Sequence, residues 1–373
     1  MKKFGSKNKI ANYKIFYFEN SSGFGGSANA LSLIVRGLNR KFFFPIIGFT
    51  DFGPQINKIN NAELINLGVI KNQTLLSIHL YKLLKKNKIS LVHINTNITS
   101  GACGIIASKL AGIPCICHIR ETRPLIKREI ILAKLIDKII AINKVAYEKY
   151  SQSVKKDKIV LIYDGLDIDE FSAQDNRLFR KEYALNSIPL IGLIGRIVEG
   201  KGQKEFILAA KNVLSKNPNV RFLLIGDAKG GKTNYYNEVK NLVTREGLTN
   251  KIIFTGWRID IKEIISDLNI VVQATTTFPE GFGLTIIEAM ALKKPVIATD
   301  IPGPSDIVVN DSTGYLIPPG DINAMAEKIL YLLNNPDIAK KMGEEGRKRV
   351  EELFDIKKRV KDIEDVYREL LIK

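Results

Sequence analysis

"FPEGFGLTIIEAMALKKPVIATDIPGPSDIV", residues 278–308, is the stretch that decides the fold. Two glycines, Gly281 and Gly283, open an apolar run that reads as a helix from Leu284 or Thr285. After Lys294 the chain turns at once into the strand pattern PVIAT. A helix followed by a short buried strand is the repeating unit of a parallel α/β sheet. A helix start opened by glycine presents unpaired backbone N–H groups and the positive end of the helix dipole, which together seat a diphosphate. Glu280 stands just before that seat and Glu288 about one turn inside the helix, so a carboxylate can reach either side of a bound diphosphate. Carboxylates only accept hydrogen bonds, which suits hydroxyl-rich groups, a sugar at one end and a ribose at the other. Either glutamate alone would read as a surface residue beside a turn; the continuing pattern argues for a site.

Outward from this segment the same alternation runs through the chain. In the first half the strand patterns are KIFYFE (14–19), FFPIIGF (43–49), LVHIN (91–95), PCICHI (114–119), KIIAIN (138–143) and KIVLIY (158–163). In the second they are PLIGLIG (189–195), RFLLIG (221–226), KIIFTG (251–256), NIVVQA (269–274), KPVIATD (294–300) and TGYLI (313–317). Two sets of six predict two parallel α/β domains, with the junction in the polar, pattern-poor stretch 172–188. The expected domains are residues 1–180 and 181–354, followed by an amphipathic C-terminal helix over 355–373.

A chain of 373 residues with 45% hydrophobic content can build two cores. Its most apolar stretch, REIILAKLIDKIIAIN (128–143), is interrupted by Lys134, Asp137 and Lys138. A bilayer span needs roughly 18 to 20 apolar residues. The basic start MKKFGSKNK has no apolar segment or cleavage site after it, so a cytoplasmic location is expected. Of the three cysteines, Cys115 and Cys117 lie on one strand pattern, and with Cys103 they read as buried small hydrophobes rather than metal ligands. Charge is divided unequally: residues 1–180 hold 28 Lys and Arg against 13 Asp and Glu, the remainder 28 against 26. Such a half either faces an anionic partner or is a solvated, lysine-rich face. The aromatic-spaced basic motifs of RNA-binding modules are absent, so no nucleic acid is expected.

Two further glycine motifs compete for a nucleotide. GDAKGGKT (226–233) fits the phosphate-loop pattern, with Asp300 able to pose as a magnesium-holding aspartate, and points to ATP. GFGGSA (23–28) fits a dinucleotide fingerprint, with Asp51 about 23 residues later, and points to NAD. Glycine-rich strand-to-helix turns arise in any parallel α/β sheet for backbone reasons, so each is weak alone.

The glutamate segment resembles the signature of retaining, nucleotide-sugar-dependent glycosyltransferases of family 4, the glycosyl transferases group 1. GLIGRIVEGKGQKEFI (192–207) resembles the opening of that family's second domain, and IIFTGWRIDIKEIISDLNIVVQAT (252–275) its base-binding turn. VLIYDGLDIDEF (160–171) resembles the interdomain segment, with Asp164 in place of the usual Asn. FGGSANAL resembles the first-domain glycine loop, with Asn29 where many members have Glu, and CICHIRET the active-site histidine strand.

The resemblance implies the GT-B fold: two Rossmann-like domains facing each other across a cleft, with the C-terminal helix crossing back to the first. It implies Arg196 and Lys201 on the donor diphosphate, helped by the backbone at Gly281, Phe282, Gly283 and Leu284, and Trp257 and Arg258 near the base. Glu280 then orients the sugar and Glu288 the ribose, while His118 contacts the sugar or its leaving phosphate. Gly25, Gly26 and Arg120 fall on the acceptor or phosphate-loop side; Arg120 could also pair with Glu121, and His79 and His93 are left as structural. The implied reaction moves a sugar, with retention, from a UDP- or GDP-linked donor to a glycan or lipid-linked acceptor, without a cofactor or essential metal. Work at an anionic membrane surface would also use the basic first half.

Overall fold

The structure, a computed structural model, describes residues 12–19, 26–50, 59, 62–120, 122, 125–171, 177–228, 233–278 and 280–372. They form two units, one of residues 1–165 with 356–373 and one of residues 166–355.

The first unit is built on a parallel sheet of seven strands: β1 (Tyr13–Glu19), β2 (Phe43–Phe49), β3 (Glu63–Asn66), β4 (Leu91–Ile94), β5 (Cys115–Ile119), β6 (Lys138–Ala141) and β7 (Ile159–Leu161). Their order is β3-β2-β1-β4-β5-β6-β7. β4 and β5 are buried at every position, because helices cover both faces of a parallel sheet. β3 is the strand that the run-by-run reading leaves out. It is four residues long at the sheet edge, and its ELIN sequence is only half-buried, so it lacks the apolar run that marks the others.

The second unit has a six-stranded parallel sheet: β8 (Leu190–Ile194), β9 (Arg221–Ile225), β10 (Ile252–Gly256), β11 (Ile270–Gln273), β12 (Val296–Thr299) and β13 (Tyr315–Ile317). Their order, β10-β9-β8-β11-β12-β13, is the doubly wound Rossmann arrangement. Its turning point lies between β8 and β11, which pair through Ile270 and Ile191. Ligands of such sheets bind beyond the carboxyl ends of the strands at that point. The corresponding point of the first sheet lies between β1 and β4, paired through Tyr17 and His93.

The C-terminal helix Ile356–Leu371 buries Ile356, Val360, Ile363, Val366 and Tyr367, a stripe at helical spacing. That stripe closes a core with Ile15, Tyr17, Leu31, Ile34, Ile47 and Ile116. Glu364 accepts the Asn39 backbone N–H at 2.7 Å, and Lys138 pairs with Glu369 at 2.6 Å.

The junction lies at residues 165/166 rather than 180/181. Leu166 N–H donates to Phe354 O at 2.8 Å within the second unit. Phe179 is buried, and the Arg180 guanidinium donates to Asp267 O and Asn269 Oδ1 in the same unit. Polar composition marked residues 172–188 as a linker, yet tertiary bonds tie 177–188 to the second sheet. Among the described residues, no helix is long and apolar enough to cross a membrane.

Candidate functional site

In the second unit the two expected donor segments leave neighbouring strands at the turning point: 195–202 follows β8, and 274–283 follows β11. The loops are docked closely. Gly200 O accepts the N–H of Thr276 at 2.8 Å, and a Cβ on Gly202, at φ +79°, would lie 1.8 Å from Ala274 O. Only glycine fits there.

The docking brings Lys201 Nζ to 2.6 Å from Glu280 Oε2, with both side chains 18% exposed. Behind the carboxylate runs a polar relay: Thr299 Oγ1 donates to Gln273 Oε1, Gln273 Nε2 to Thr275 Oγ1 at 2.7 Å, and Thr275 Oγ1 to Glu280 Oε2 at 3.3 Å. Phe278 supplies a platform for both cations, with Lys201 Nζ 4.4 Å and the Arg196 guanidinium 5.6 Å from its ring centre. The Arg196 carbonyl is held by the buried Gln203 at 2.8 Å. Phe278 and Gln203 are missed by motif reading. A ring directly before the Pro-Glu-Gly turn was the available signal for Phe278.

Gly283, at φ +116°, caps the eight-residue helix Leu284–Ala291 without any side-chain capping bond. Phe282 is buried beneath the turn against Phe354, their ring centres 5.5 Å apart. Glu288 lies in this helix, and burial pushes its carboxyl up to about 7; its side chain has no hydrogen-bond or ion-pair partner among the described residues. Trp257 is exposed. Arg258, beside it, pairs with both oxygens of Glu182 at 2.8 Å and with Asp260 at 2.6 Å. It therefore anchors the Trp257 turn to the helix Leu178–Glu182, a role that tertiary neighbours decide.

The first unit carries a two-tier polar cluster at the carboxyl ends of β1, β4 and β5, all on the face covered by the C-terminal helix. Alternate residues place Tyr17, His93 and His118 in the inner tier and Glu19, Asn95 and Arg120 in the outer one. His93 Nδ1 lies 2.6 Å from the Tyr367 hydroxyl, which is 2.8 Å from that of Tyr17. Asn95 Nδ2 donates to Glu19, and Arg120 donates to Asn95 Oδ1 at 2.9 Å and pairs with Asp164. Arg120 thus takes Asp164 as its carboxylate; Glu121 lies outside the described residues. His118 is 1% exposed, its ring centre is 5.4 Å from that of His93, and its Nε2 has no partner among the described residues. Burial, with the Arg120 charge and then His93, holds its basicity well below the ordinary histidine range. Gly26 begins the helix Gly26–Gly37, while Gly25 lies outside the described residues. Glu19, Asn95 and Asp164 join Arg120 only through the fold, although the period-two polar pairs at three strand ends are a signal visible in the sequence.

The phosphate-loop match has structural duties at its described ends. Gly226, at φ +134°, leaves room for Gly195 O, which a Cβ would approach to 2.1 Å. Thr233 Oγ1 caps the next helix by accepting Tyr236 N–H at 3.2 Å. Asp300 accepts from Ser305 Oγ at 2.7 Å. Residues 229–232, including Lys232, and the fingerprint residues Gly23 and Asp51 lie outside the described residues.

Two family models match the chain: Glycosyl transferases group 1 over residues 175–349 and Glycosyltransferase Family 4 over 51–170. The UDP-Gal:alpha-D-GlcNAc-diphosphoundecaprenol alpha-1,3-galactosyltransferase of Escherichia coli is 30% identical over 328 residues, 82% of each chain. The capsular polysaccharide biosynthesis glycosyltransferase CapM of Staphylococcus aureus is 34% identical over 240 residues, 62% of each. Among solved structures, Anabaena HepE in complex with UDP-glucose superposes with a TM-score of 0.85 at 22% identity, covering 95% of this chain and 99% of that one.

Proposed function

We propose that this chain, which belongs to the glycosyl transferases group 1 and is a GT-B glycosyltransferase, moves a sugar with retention from a UDP- or GDP-linked donor to a glycan or lipid-linked acceptor. The observation that carries the reading is the Lys201–Glu280 pair beside the glycine-opened helix at the second sheet's turning point. In a nucleotide sugar the anomeric carbon is bonded directly to a phosphate oxygen. A cation for the phosphate and a carboxylate for the sugar hydroxyls must therefore be neighbours.

In this reading Arg196 and Lys201 stabilise the diphosphate charge that develops as the glycosidic bond breaks, together with the N–H groups at Gly283 and Leu284. Glu280 orients the sugar hydroxyls, Glu288 accepts from the ribose and Trp257 lies near the base. His118 serves the sugar or its leaving phosphate. The acceptor oxygen attacks the anomeric carbon from the face that the phosphate leaves, and the phosphate oxygen takes its proton, so no separate metal or cofactor is called upon. A UDP-linked donor and a diphospho-lipid acceptor are the choices supported by the name of the Escherichia coli relative, and the donor also by that of the Anabaena neighbour.

Docking at an anionic membrane surface is supported by two helices. Gln73–Lys86 exposes Leu75, Ile78, Lys82, Lys85 and Lys86, and Lys127–Ala133 exposes Lys127, Arg128 and Ile131. The decisive assay is release of nucleoside diphosphate from a panel of UDP-, GDP- and ADP-sugars, with ATP and NADH consumption followed alongside. Release from a UDP- or GDP-sugar is expected. ATP or NADH consumption without any sugar-dependent release overturns the reading.

A further inference from the structure

Arg120 reaches His118 from two residues along the same strand end: its Nη2 lies 3.4 Å from His118 Nδ1. A guanidinium has donors only and keeps its proton at every working pH, so Nδ1 must be the acceptor in this bond. The imidazole is then neutral, and its one N–H sits on Nε2, the atom with no partner among the described residues. Arg120 is itself fixed by three further bonds to two partners. Asn95 Oδ1 accepts from Nε at 3.1 Å and from Nη2 at 2.9 Å, and Asp164 pairs with Nη1.

We propose that Arg120, held by Asp164 and Asn95, is a positioning residue that locks His118 as a neutral Nε2–H donor, so that His118 serves the reaction by donating a hydrogen bond to an oxygen of the reacting sugar phosphate and not as a general base or a cation. The proposal rests on the reading of His118 as a residue of the transfer site. It also gives Asp164, the departure from the family's Asn, a duty: balancing a guanidinium that burial would otherwise leave uncompensated. The groups facing His118 agree. On its own strand stands Arg120; β4 contributes His93, itself neutral through burial, and β1 the uncharged Tyr17. The C-terminal helix contributes the hydroxyl of Tyr367, and of the carboxylates in the cluster Glu19 accepts from Asn95 and Asp164 pairs with Arg120. Among the described residues neither carboxylate bonds the imidazole, whose polar contact is the Arg120 guanidinium.

The test uses the full-length chain labelled with 15N-histidine. Three histidines are present, His79, His93 and His118, so His118→Gln assigns the signal by its loss. Long-range 1H–15N spectra from pH 5.5 to 8 should show His118 with a bare Nδ1, a protonated Nε2 and no titration. Arg120→Met alone leaves Asp164 buried and unpaired, so the informative variant is the double Arg120→Met/Asp164→Asn. It should mix the tautomers or bring His118 into titration, and lower kcat at least tenfold with the donor KM changed less than twofold; Arg120→Lys, which keeps a donor, should restore the tautomer in part. A protonated Nδ1 or an imidazolium in the wild type overturns the lock, as does a double variant whose His118 spectrum is unchanged. If the tautomer is as stated but His118→Ala transfers sugar as fast as the wild type, the positioning role falls with the reading of His118, while the donor-site reading, tested by nucleotide release, stands apart.

Discussion

Glu280 and Arg196 sit on loops, so alanine at either position removes charge without opening a core. Removing a group aimed at developing charge costs about 3 kcal/mol or more in the barrier, a hundredfold or beyond in kcat. Both variants should keep the wild-type melting curve and lose transfer activity; more than half the activity in either would detach it from the donor site. Lys232→Ala should leave turnover essentially unchanged, and a collapse there with folding intact would revive the phosphate-loop reading. Glu288 adds a pH dependence. Its carboxyl, raised from 4.5 to about 7 by burial, keeps a proton in the folded chain that the unfolded chain has already released. Its contribution to stability is therefore complete below the unfolded value and lost as pH rises through about 7. The melting temperature of the wild type should fall relative to Glu288→Gln between pH 5 and 8. If the ionised form accepts from ribose, UDP affinity measured by calorimetry should rise over the same window in the wild type and stay flat in Glu288→Gln. The glycine turn with carboxylates around it stands out in the sequence because it has few purely structural explanations. Phe278 and Gln203 do not, since a lone ring and a lone amide carry no pattern.

Among the elements, the loop after β8 owes its position to glycine geometry. Gly202→Ala must abandon φ +79° and displace Ala274 O, whereas Gly320→Ala, at φ +80° with open space around it, meets only the conformational penalty. That penalty is roughly 1–2 kcal/mol. Gly202→Ala should therefore melt measurably lower than Gly320→Ala and lose nucleotide binding, which Gly320→Ala keeps; equal effects would show that loop docking does not hold Lys201 in place. The C-terminal helix is the cover of the first unit's sheet. Ending the chain after Asp355 uncovers Tyr17, Ile34 and Ile116, and the truncated protein is expected to bind a hydrophobic dye strongly and lose its cooperative transition. The strands announced themselves as apolar runs because both sheet faces are covered. β3 did not, since an edge strand needs no such run.

At the scale of the whole molecule, the division at 165/166 sharpens the charge asymmetry. The first unit, with the C-terminal helix, holds 32 Lys and Arg against 13 Asp and Glu; the second holds 24 against 26. Each basic residue near an anionic leaflet contributes about 1 kcal/mol, and salt screens beyond roughly 8 Å, so four or five on the exposed helices suffice for reversible, peripheral docking. Sedimentation with anionic vesicles is expected at low salt, with release at about half-molar salt and weakening on charge reversal at Lys85, Lys86, Lys127 and Arg128. Equal sedimentation with neutral and anionic vesicles, or none with either, would return the charge to solvation alone. The sequence by itself determined the two parallel α/β sheets and the glycine-opened helix with its flanking glutamates, because hydrophobic period and glycine placement are local properties written along the chain. Only the tertiary structure decided that residues 166–188 belong to the second unit, that Arg258 pairs with Glu182 and Asp260, and that Asp164 answers Arg120 across 44 positions. Those are pairings of single polar groups between distant segments, and such a pairing has no period and no composition to betray it before the chain is folded.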